Sequence, residues 1–296
     1  MSRPLVSVVI PTLNPGGDLA PLLEGVFQQE LDGQMEVWVV DSGTRPGGLA
    51  PLGRWPVRRV DIDPRDFGHG KTRNMMVKRV QGEFVAFFTQ DCLPADAHVL
   101  AELVAALRSL PRADGAYARQ IPRPDADEVV IRRLGEVFPG GEMSFQQVAP
   151  GEWQTLTPLE RLHRARYDHV ACLSRREALL QRPLLDLPFG EDLAWGIDTV
   201  LAGRGLVYVP SARVIHSHKR SPVETFRRTR LEHQQLAQLV GLHLVPDGPT
   251  LMRGFAALSG QALYKTGRDP GRLPHHLGEY GRLLAELLGQ WQGGRV

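Results

Sequence analysis

The sequence predicts an α/β fold: a mostly parallel sheet flanked by helices, followed by a helical C-terminal extension. Short Val-rich apolar runs that suit buried strands alternate with stretches that place Leu and Val at helical spacing. Residues able to do chemistry fall just past the ends of those runs, at Thr12, Asn14, Asp41 and Asp91, where open parallel sheets bind ligands. The composition agrees. Of 296 residues, 42% are hydrophobic and 23% charged, with a formal net charge of +2. That excludes a disordered chain and argues against nucleic acid as a partner. The two cysteines, Cys92 and Cys172, cannot build a disulfide framework or a Cys-based zinc site.

Taken in order, Leu5–Ile10 is an apolar run stopped by Pro11, a buried strand. Asp18–Gln29 sets Leu19, Leu22, Leu23 and Val26 on one helix face. Glu36–Val40 is a second strand, ended by Asp41-Ser42-Gly43, and residues 43–56 are a Gly/Pro-rich loop. Arg58–Ile62 is a short strand, Lys71–Val80 a helix and Glu83–Phe88 a fourth strand. Asp96–Leu110 is a helix with Asp96 as its N-cap and Pro111 as its stop. Residues 115–158 show no regular period. Beyond them come a helix over Leu159–Arg166, a strand over Val170–Leu173, helices from Arg175 and over Asp192–Gly203, and two strands, Leu206–Val209 and Ala212–Ile215. From Ser221 onward the chain reads as helical, with breaks at 246–249 and near 267–274.

Two phosphate motifs fail on inspection. Gly68-His69-Gly70 lacks the third glycine of a dinucleotide fingerprint, since position 73 is Arg, and Gly70-Lys71-Thr72 lacks the earlier glycine of a P-loop, since position 65 is Arg. What remains is an ordered set of segments: VSVVIPTLN (6–14), VVDSGT (39–44), DFGHGKTRN (66–74), GEFVAFFTQDCLP (82–94), FGEDLAWG (189–196) and VYVPSARVIHSHKRS (207–221). Together they resemble the family 2 glycosyltransferases with the GT-A fold, over about residues 5–221. Arg outnumbers Lys 31 to 4 and the chain uses only two asparagines, a bias that suits a GC-rich coding background better than heat adaptation. Both asparagines, Asn14 and Asn74, fall inside these segments, which chance would rarely arrange. The stretch ARQIPRPDADEVVIRR (118–133), with GHGKTRN and TQDC, is similar to the rhamnosyltransferase-like branch.

The resemblance implies roles that composition alone does not. Asp41 is implied to accept the N3–H of a uracil or thymine ring, with Pro11, Thr12 and Asn14 lining the nucleotide pocket. His69, Lys71, Arg73 and Asn74 open a helix whose free N–H groups and positive end suit a pyrophosphate, and Gln90 joins Asp91 on the donor. Asp91 is implied to be the last residue of the D-x-D signature, although Thr89 replaces its first Asp. A divalent cation, Mg²⁺ or Mn²⁺, would use Asp91 with His216 and His218, which share one side of a strand end. Asp192 of the Glu191-Asp192 pair is implied to be the general base of an inverting transfer, with Glu191 orienting. Trp195, three residues on, and Arg119 fall on the acceptor side, although a core tryptophan suits the same spacing.

The expected organisation is a GT-A domain over 1–221, with a donor half to about 115 and an acceptor half from 116, and a helical extension over 222–296. The expected reaction moves a sugar, rhamnose from dTDP-rhamnose, from a dTDP- or UDP-linked donor to a saccharide or lipid-linked acceptor in cell-surface polysaccharide or glycolipid synthesis. A metal-dependent sugar-nucleotide phosphohydrolase, a nucleotidyltransferase and a non-catalytic binding module are the rivals. No run of about 18 apolar residues is present and Leu5–Ile10 is too short for a signal peptide, so a cytoplasmic enzyme is expected. Arg227, Arg228 and Arg230, and the stripe Leu283, Leu284, Leu287, Leu288 and Trp291, read as a solvated face and a packed helix. Their functional alternatives are a homodimer contact or a peripheral contact with the inner membrane face.

Overall fold

A computed structural model describes residues 3–295. The chain divides into two compact units. The first runs to Thr155 and includes His163–Leu187 and Glu191–Ser217; the second holds Leu156–Leu162, Pro188–Gly190 and the chain from His218 onward.

The first unit is built on a mixed sheet of nine strands among the described residues. Its first four strands are β1 (Val6–Thr12), β2 (Met35–Asp41), β3 (Val57–Asp61) and β4 (Phe84–Phe88). They pair in parallel, in the spatial order β3-β2-β1-β4. Buried on both faces, β1 and β4 read as continuous apolar runs, as parallel strands do. The remaining strands are β5 (Leu93–Pro94), β6 (Ala113–Ile121), β7 (Ser144–Gln146), β8 (Ala171–Arg175) and β9 (Gly205–Ile215). Here the sheet turns mixed: β8 lies antiparallel between β4 and β6, β6 is parallel to β9, and β5 and β7 are antiparallel to β9.

The flanking helices are α1 (Leu19–Phe27), α2 (His69–Arg79), α3 (Val99–Ser109), α4 (Glu128–Val137), α5 (Pro158–Ala165), α6 (Arg176–Gln181) and α7 (Glu191–Leu201). The core joins Leu19, Leu22, Leu23 and Val26 of α1, and Leu100, Leu103 and Leu107 of α3, to Val8, Ile10, Phe84 and Phe88 of the sheet.

Four local expectations change. Residues 115–158 hold β6 and α4 where no period was visible. The β6 sequence, ADGAYARQI, has one β-branched residue, and pairing with β8 and β9 decides its state rather than propensity. Helix α4 starts at Asp127, whose carboxylate accepts the Val130 N–H at 3.0 Å. Asp96 is not an N-cap: it accepts the His98 N–H in a turn, and α3 begins at Val99. The two expected strands at 206–215 are one, β9, whose register shifts opposite Ala118 and Arg119 and so absorbs Pro210 within the strand.

In the second unit, α8 (Pro222–Val240) begins with a capping box between Ser221 and Glu224 and ends at Gly241, which takes the left-handed φ of +74°. It is followed by α9 (Gly248–Arg268) and α10 (Leu273–Gly293). Helices α8 and α10 approach closely because Gly289 lacks a side chain; a Cβ there would lie 2.9 Å from the Phe226 carbonyl oxygen. Leu283, Leu284, Leu287, Leu288 and Trp291 are at least half-buried, so this stripe packs within the unit. No helix among the described residues is long and apolar enough to cross a membrane.

Candidate active site

The C-terminal ends of β1, β2 and β4 converge, and their loops are bonded to one another. Thr12 and Asp41, the last residues of β1 and β2, are register partners and both are buried. The Asp41 carboxylate accepts the Thr44 N–H at 3.1 and 3.2 Å, and an Arg59 guanidinium lies 3.5 Å away. Asn14 takes a left-handed φ of +47°, a conformation Asn tolerates better than most residues. Its N–H donates to the Thr44 hydroxyl at 2.9 Å and its side chain accepts from the Arg45 N–H at 3.0 Å. Gln90, just past β4, binds Leu13 twice, accepting its N–H at 2.7 Å and donating to its carbonyl at 3.1 Å. Pro11 sits half-buried one residue before the strand end. These bonds hold Asp41 at the base of a rigid rim.

Asp91 lies beside the end of β9. Its carboxylate is 3.6 Å from His216 Nε2. His216 Nδ1 is 2.8 Å from the Gln120 side-chain oxygen, and the Gln120 amide donates to Asp168 at 2.9 Å. Because the Gln120 nitrogen is directed to the Asp168 carboxylate, its oxygen faces His216 and can only accept. Nδ1 therefore donates to Gln120, which leaves Nε2 as the ring nitrogen facing Asp91. A mixed oxygen and imidazole donor pair at this separation suits a hard or borderline divalent cation, and the Gln120–Asp168 chain is the support that orients such a ligand. Arg123 braces the same corner, donating to the Asp91 carbonyl at 2.8 Å and to Asp18 at 3.1 Å. His218 follows as the first residue of the second unit.

A third cluster lies at the start of α7. The buried Glu191 accepts from Arg73 at 2.9 Å and sits 3.2 Å from His169 Nδ1. Arg73 also lies over the Phe87 ring, 5.5 Å from its centroid. Burial alone would raise the Glu191 pKa, but the His169 hydrogen bond and the Arg73 charge outweigh it and bring the pKa to about 2. Asp192 moves the other way: burial first, and the Glu191 charge second, raise it above the usual aspartate value. It keeps two backbone donors, Leu193 N–H at 2.8 Å and His169 N–H at 3.3 Å. Two adjacent carboxylates thus have their pKa values pushed apart, the pattern that separates a fixed charge from a proton acceptor.

Other expected residues hold structural contacts. Asn74 exchanges two hydrogen bonds with Leu184, donating to its carbonyl at 2.8 Å and accepting its N–H at 2.9 Å. His69 opens α2 and packs edge-on against Phe67. Lys71 pairs with Asp66 at 3.0 Å on the surface. Trp195 is a correction. It is 1% exposed, its indole donates to the Arg182 carbonyl at 2.9 Å, and its ring packs on Tyr167. A ring so enclosed is part of the core and cannot flank an acceptor sugar. Arg119 donates to the Phe138 carbonyl at 3.2 Å, tying β6 to the end of α4.

Sequence reading missed His169, Gln120, Asp168 and Arg123. Asp168 and His169 stand in none of the quoted segments, and their adjacency just before the Val170 strand was the available signal. Gln120 and Arg123 fall inside ARQIPRPDADEVVIRR, which carries a resemblance but no indication of these contacts.

The scan against family models matches residues 7–186 to "Glycosyl transferase family 2". The chain is 26% identical over 234 residues to the O-antigen chain rhamnosyltransferase RfbN of Salmonella typhimurium, covering 75% of this chain and 69% of the relative. It is 23% identical over 234 residues to the O-antigen chain rhamnosyltransferase WbaN of Salmonella anatum, covering 76% and 70%. Among solved structures, the mannosyltransferase PcManGT of Pyrobaculum calidifontis, in complex with GDP-Man and Mn²⁺, matches with a TM-score of 0.63 at 20% identity, covering 98% of this chain and 86% of that one. TarS 1-349 of S. aureus matches with a TM-score of 0.55 at 16% identity, covering 97% and 90%. These structures share the GT-A fold, and with the family match spanning well over half of the sequence the chain belongs to glycosyl transferase family 2.

Proposed function

We propose that this glycosyltransferase transfers rhamnose from dTDP-rhamnose, with inversion and with a divalent cation, to an acceptor hydroxyl in cell-surface polysaccharide or glycolipid synthesis. The observation that carries the catalytic part is the split pair at the start of α7: a raised Asp192 beside a charged Glu191. The similarity to two O-antigen rhamnosyltransferases supports the sugar.

In this reading Asp41 accepts the base N3–H, with Pro11, Thr12 and Asn14 around the ring, and Gln90 keeps the rim in place. Asp91 and the Nε2 of His216 would hold the cation. When bound, the cation neutralises charge on the diphosphate as it departs. His69 and Lys71 at the start of α2 add to the positive field at the diphosphate, and Arg73 acts by holding Glu191. Asp192 takes the acceptor hydroxyl proton while that oxygen bonds to the anomeric carbon and the anomeric bond to the diphosphate breaks. A base with a raised pKa is better matched to this task near neutral pH than an ordinary aspartate. Glu191, held charged by Arg73 and His169, keeps Asp192 basic and is itself no proton carrier. Arg119 stands at the acceptor side through its hold on α4.

The test is Asp192→Asn, assayed for transfer and for nucleotide binding. Transfer should fall by about 10²–10⁴-fold, while thermal stabilisation by dTDP with Mn²⁺ stays within error of the parent protein. Normal turnover in the variant removes the assignment of the base. A panel of dTDP, UDP and GDP sugars tests the donor: stabilisation by GDP sugars alone overturns the rhamnosyl reading. Donor hydrolysis that no acceptor accelerates supports a phosphohydrolase instead.

A further inference from the structure

A cavity of about 460 Å³ opens in the first unit among Arg3, Arg175, Arg182, Arg204 and Asp114. It lies where β4, β6 and β9 begin and β8 ends, so the length of β4 and of β9 separates it from Asp91 and His216. Its four guanidiniums are anchored. Arg3 donates through Nε to the Gln81 carbonyl at 2.8 Å and through Nη2 to the Gly82 carbonyl at 3.2 Å. Arg175 uses the same two nitrogens on the Ala113 and Leu107 carbonyls. Arg204 directs its own pair at Asp114 and the Pro111 carbonyl, and Arg182 binds Asp114 through Nη2. In all four, Nη1 makes no hydrogen bond to the protein among the described residues. Each arginine thus keeps two N–H donors for an outside acceptor.

The charges do not balance. Among the described residues, the 3% exposed Asp114 is the one carboxylate paired with any of these arginines, and Arg3 and Arg175 pair with none. Glu83 and Glu177 also border the cavity, but both are exposed and neither pairs with these arginines. We propose that this cavity is a second binding site, for a phosphate-bearing small molecule. Guanidinium edges match phosphate oxygens, and arginines already fixed by backbone carbonyls lose little freedom when they bind. The volume falls in the range of small-molecule sites and has room beyond the anion. A sugar attached to the phosphate would find hydroxyl acceptors in Glu83 and Glu177. This inference does not depend on the donor sugar or on the catalytic residues proposed above.

The experiment is calorimetric titration of the full chain with inorganic diphosphate and, in parallel, with a hexose 1-phosphate, both without divalent cation. Arg3→Gln with Arg175→Gln should weaken binding by about tenfold or more. The exposed Gln181→Glu should also weaken it, and Glu177→Gln should tighten it, because each changes only the charge at the border of the cavity. Lys71→Gln, on the donor side, should leave it unchanged. Circular dichroism with an unchanged melting temperature shows that the variants remain folded, and the two border variants carry the test if the arginine pair does not. Tighter binding of the ester identifies a sugar phosphate as the ligand, and tighter binding of diphosphate identifies the free anion. Binding of neither overturns the inference. So does binding that the arginine and border substitutions leave unaltered, or that Lys71→Gln abolishes.

Discussion

At the residue scale, chemistry is governed by who neighbours Glu191. Its carboxylate is buried, yet Arg73 and His169 hold it ionised. That fixed charge is one of the two causes of the raised Asp192 pKa. Removing it has a definite sign. In Glu191→Gln, Asp192 loses a repelling neighbour and its pKa falls, so the acid limb of kcat/KM moves to lower pH. The limb exists because the base must be deprotonated, so activity rises with pH through the Asp192 pKa. A limb unmoved in this variant assigns the titration to another group. Stability follows the same charges. Glu191 is held near 2 in the fold against an ordinary value of 4.5. Its stabilisation is therefore complete above about pH 4.5 and is lost as pH falls toward 2. Arg73→Ala leaves this buried carboxylate short of its main cation and should lower stability by about 3–5 kcal/mol at pH 7. Urea denaturation at pH 7 and at pH 4 should show the deficit shrinking at the lower pH.

At the element scale, the site depends on loops and helices tied together by single polar side chains. Both asparagines of the chain do this. Asn14 joins the loop after β1 to the loop after β2, and Asn74 joins α2 to the segment at Leu184. Asn74 uses its side-chain amide as donor and acceptor at once, which a carboxylate cannot do, whereas the Asn14 side chain only accepts and its backbone N–H supplies the second bond. Asn74→Ala should lower stability by about 1–3 kcal/mol through the unsatisfied Leu184 groups, measured as a shift of the urea midpoint at constant slope. An unchanged midpoint shows that water replaces both bonds. The association of both asparagines with motif segments was readable in the sequence, whereas their partners were not, because Leu184 is 110 residues from Asn74. The strands β1, β2 and β4 were legible from their apolar runs alone. Strand β6 was not, since its small and polar residues become a strand only between β8 and β9.

At the scale of the whole molecule, stability is unevenly distributed. In the first unit, β1 and β4 are buried on both faces; in the second, α9 has no buried residue and α8 and α10 pack closely. Amide exchange should therefore be fastest in α9 and slowest in β1 and β4, as mass spectrometry of exchanged peptides measures. Equal protection of α9 and β1 contradicts this. The near-zero net charge of +2 hides the local divisions that matter: a buried carboxylate pair at α7 and an acid-free α9.

Taken alone, the sequence determined the parallel strands, the helical extension, the family resemblance and the positions of Asp41, Asp91 and Glu191-Asp192, because apolar period and short motifs are local. Tertiary structure decided the rest. It brought His169, from outside any motif, onto Glu191, and Gln120 and Asp168 behind His216. It buried Trp195 in the core, turned the Leu283–Trp291 stripe inward and left α9 exposed. Burial and long-range hydrogen bonds set which of two identical carboxylates is a charge and which a base, and neither is encoded in spacing along the chain.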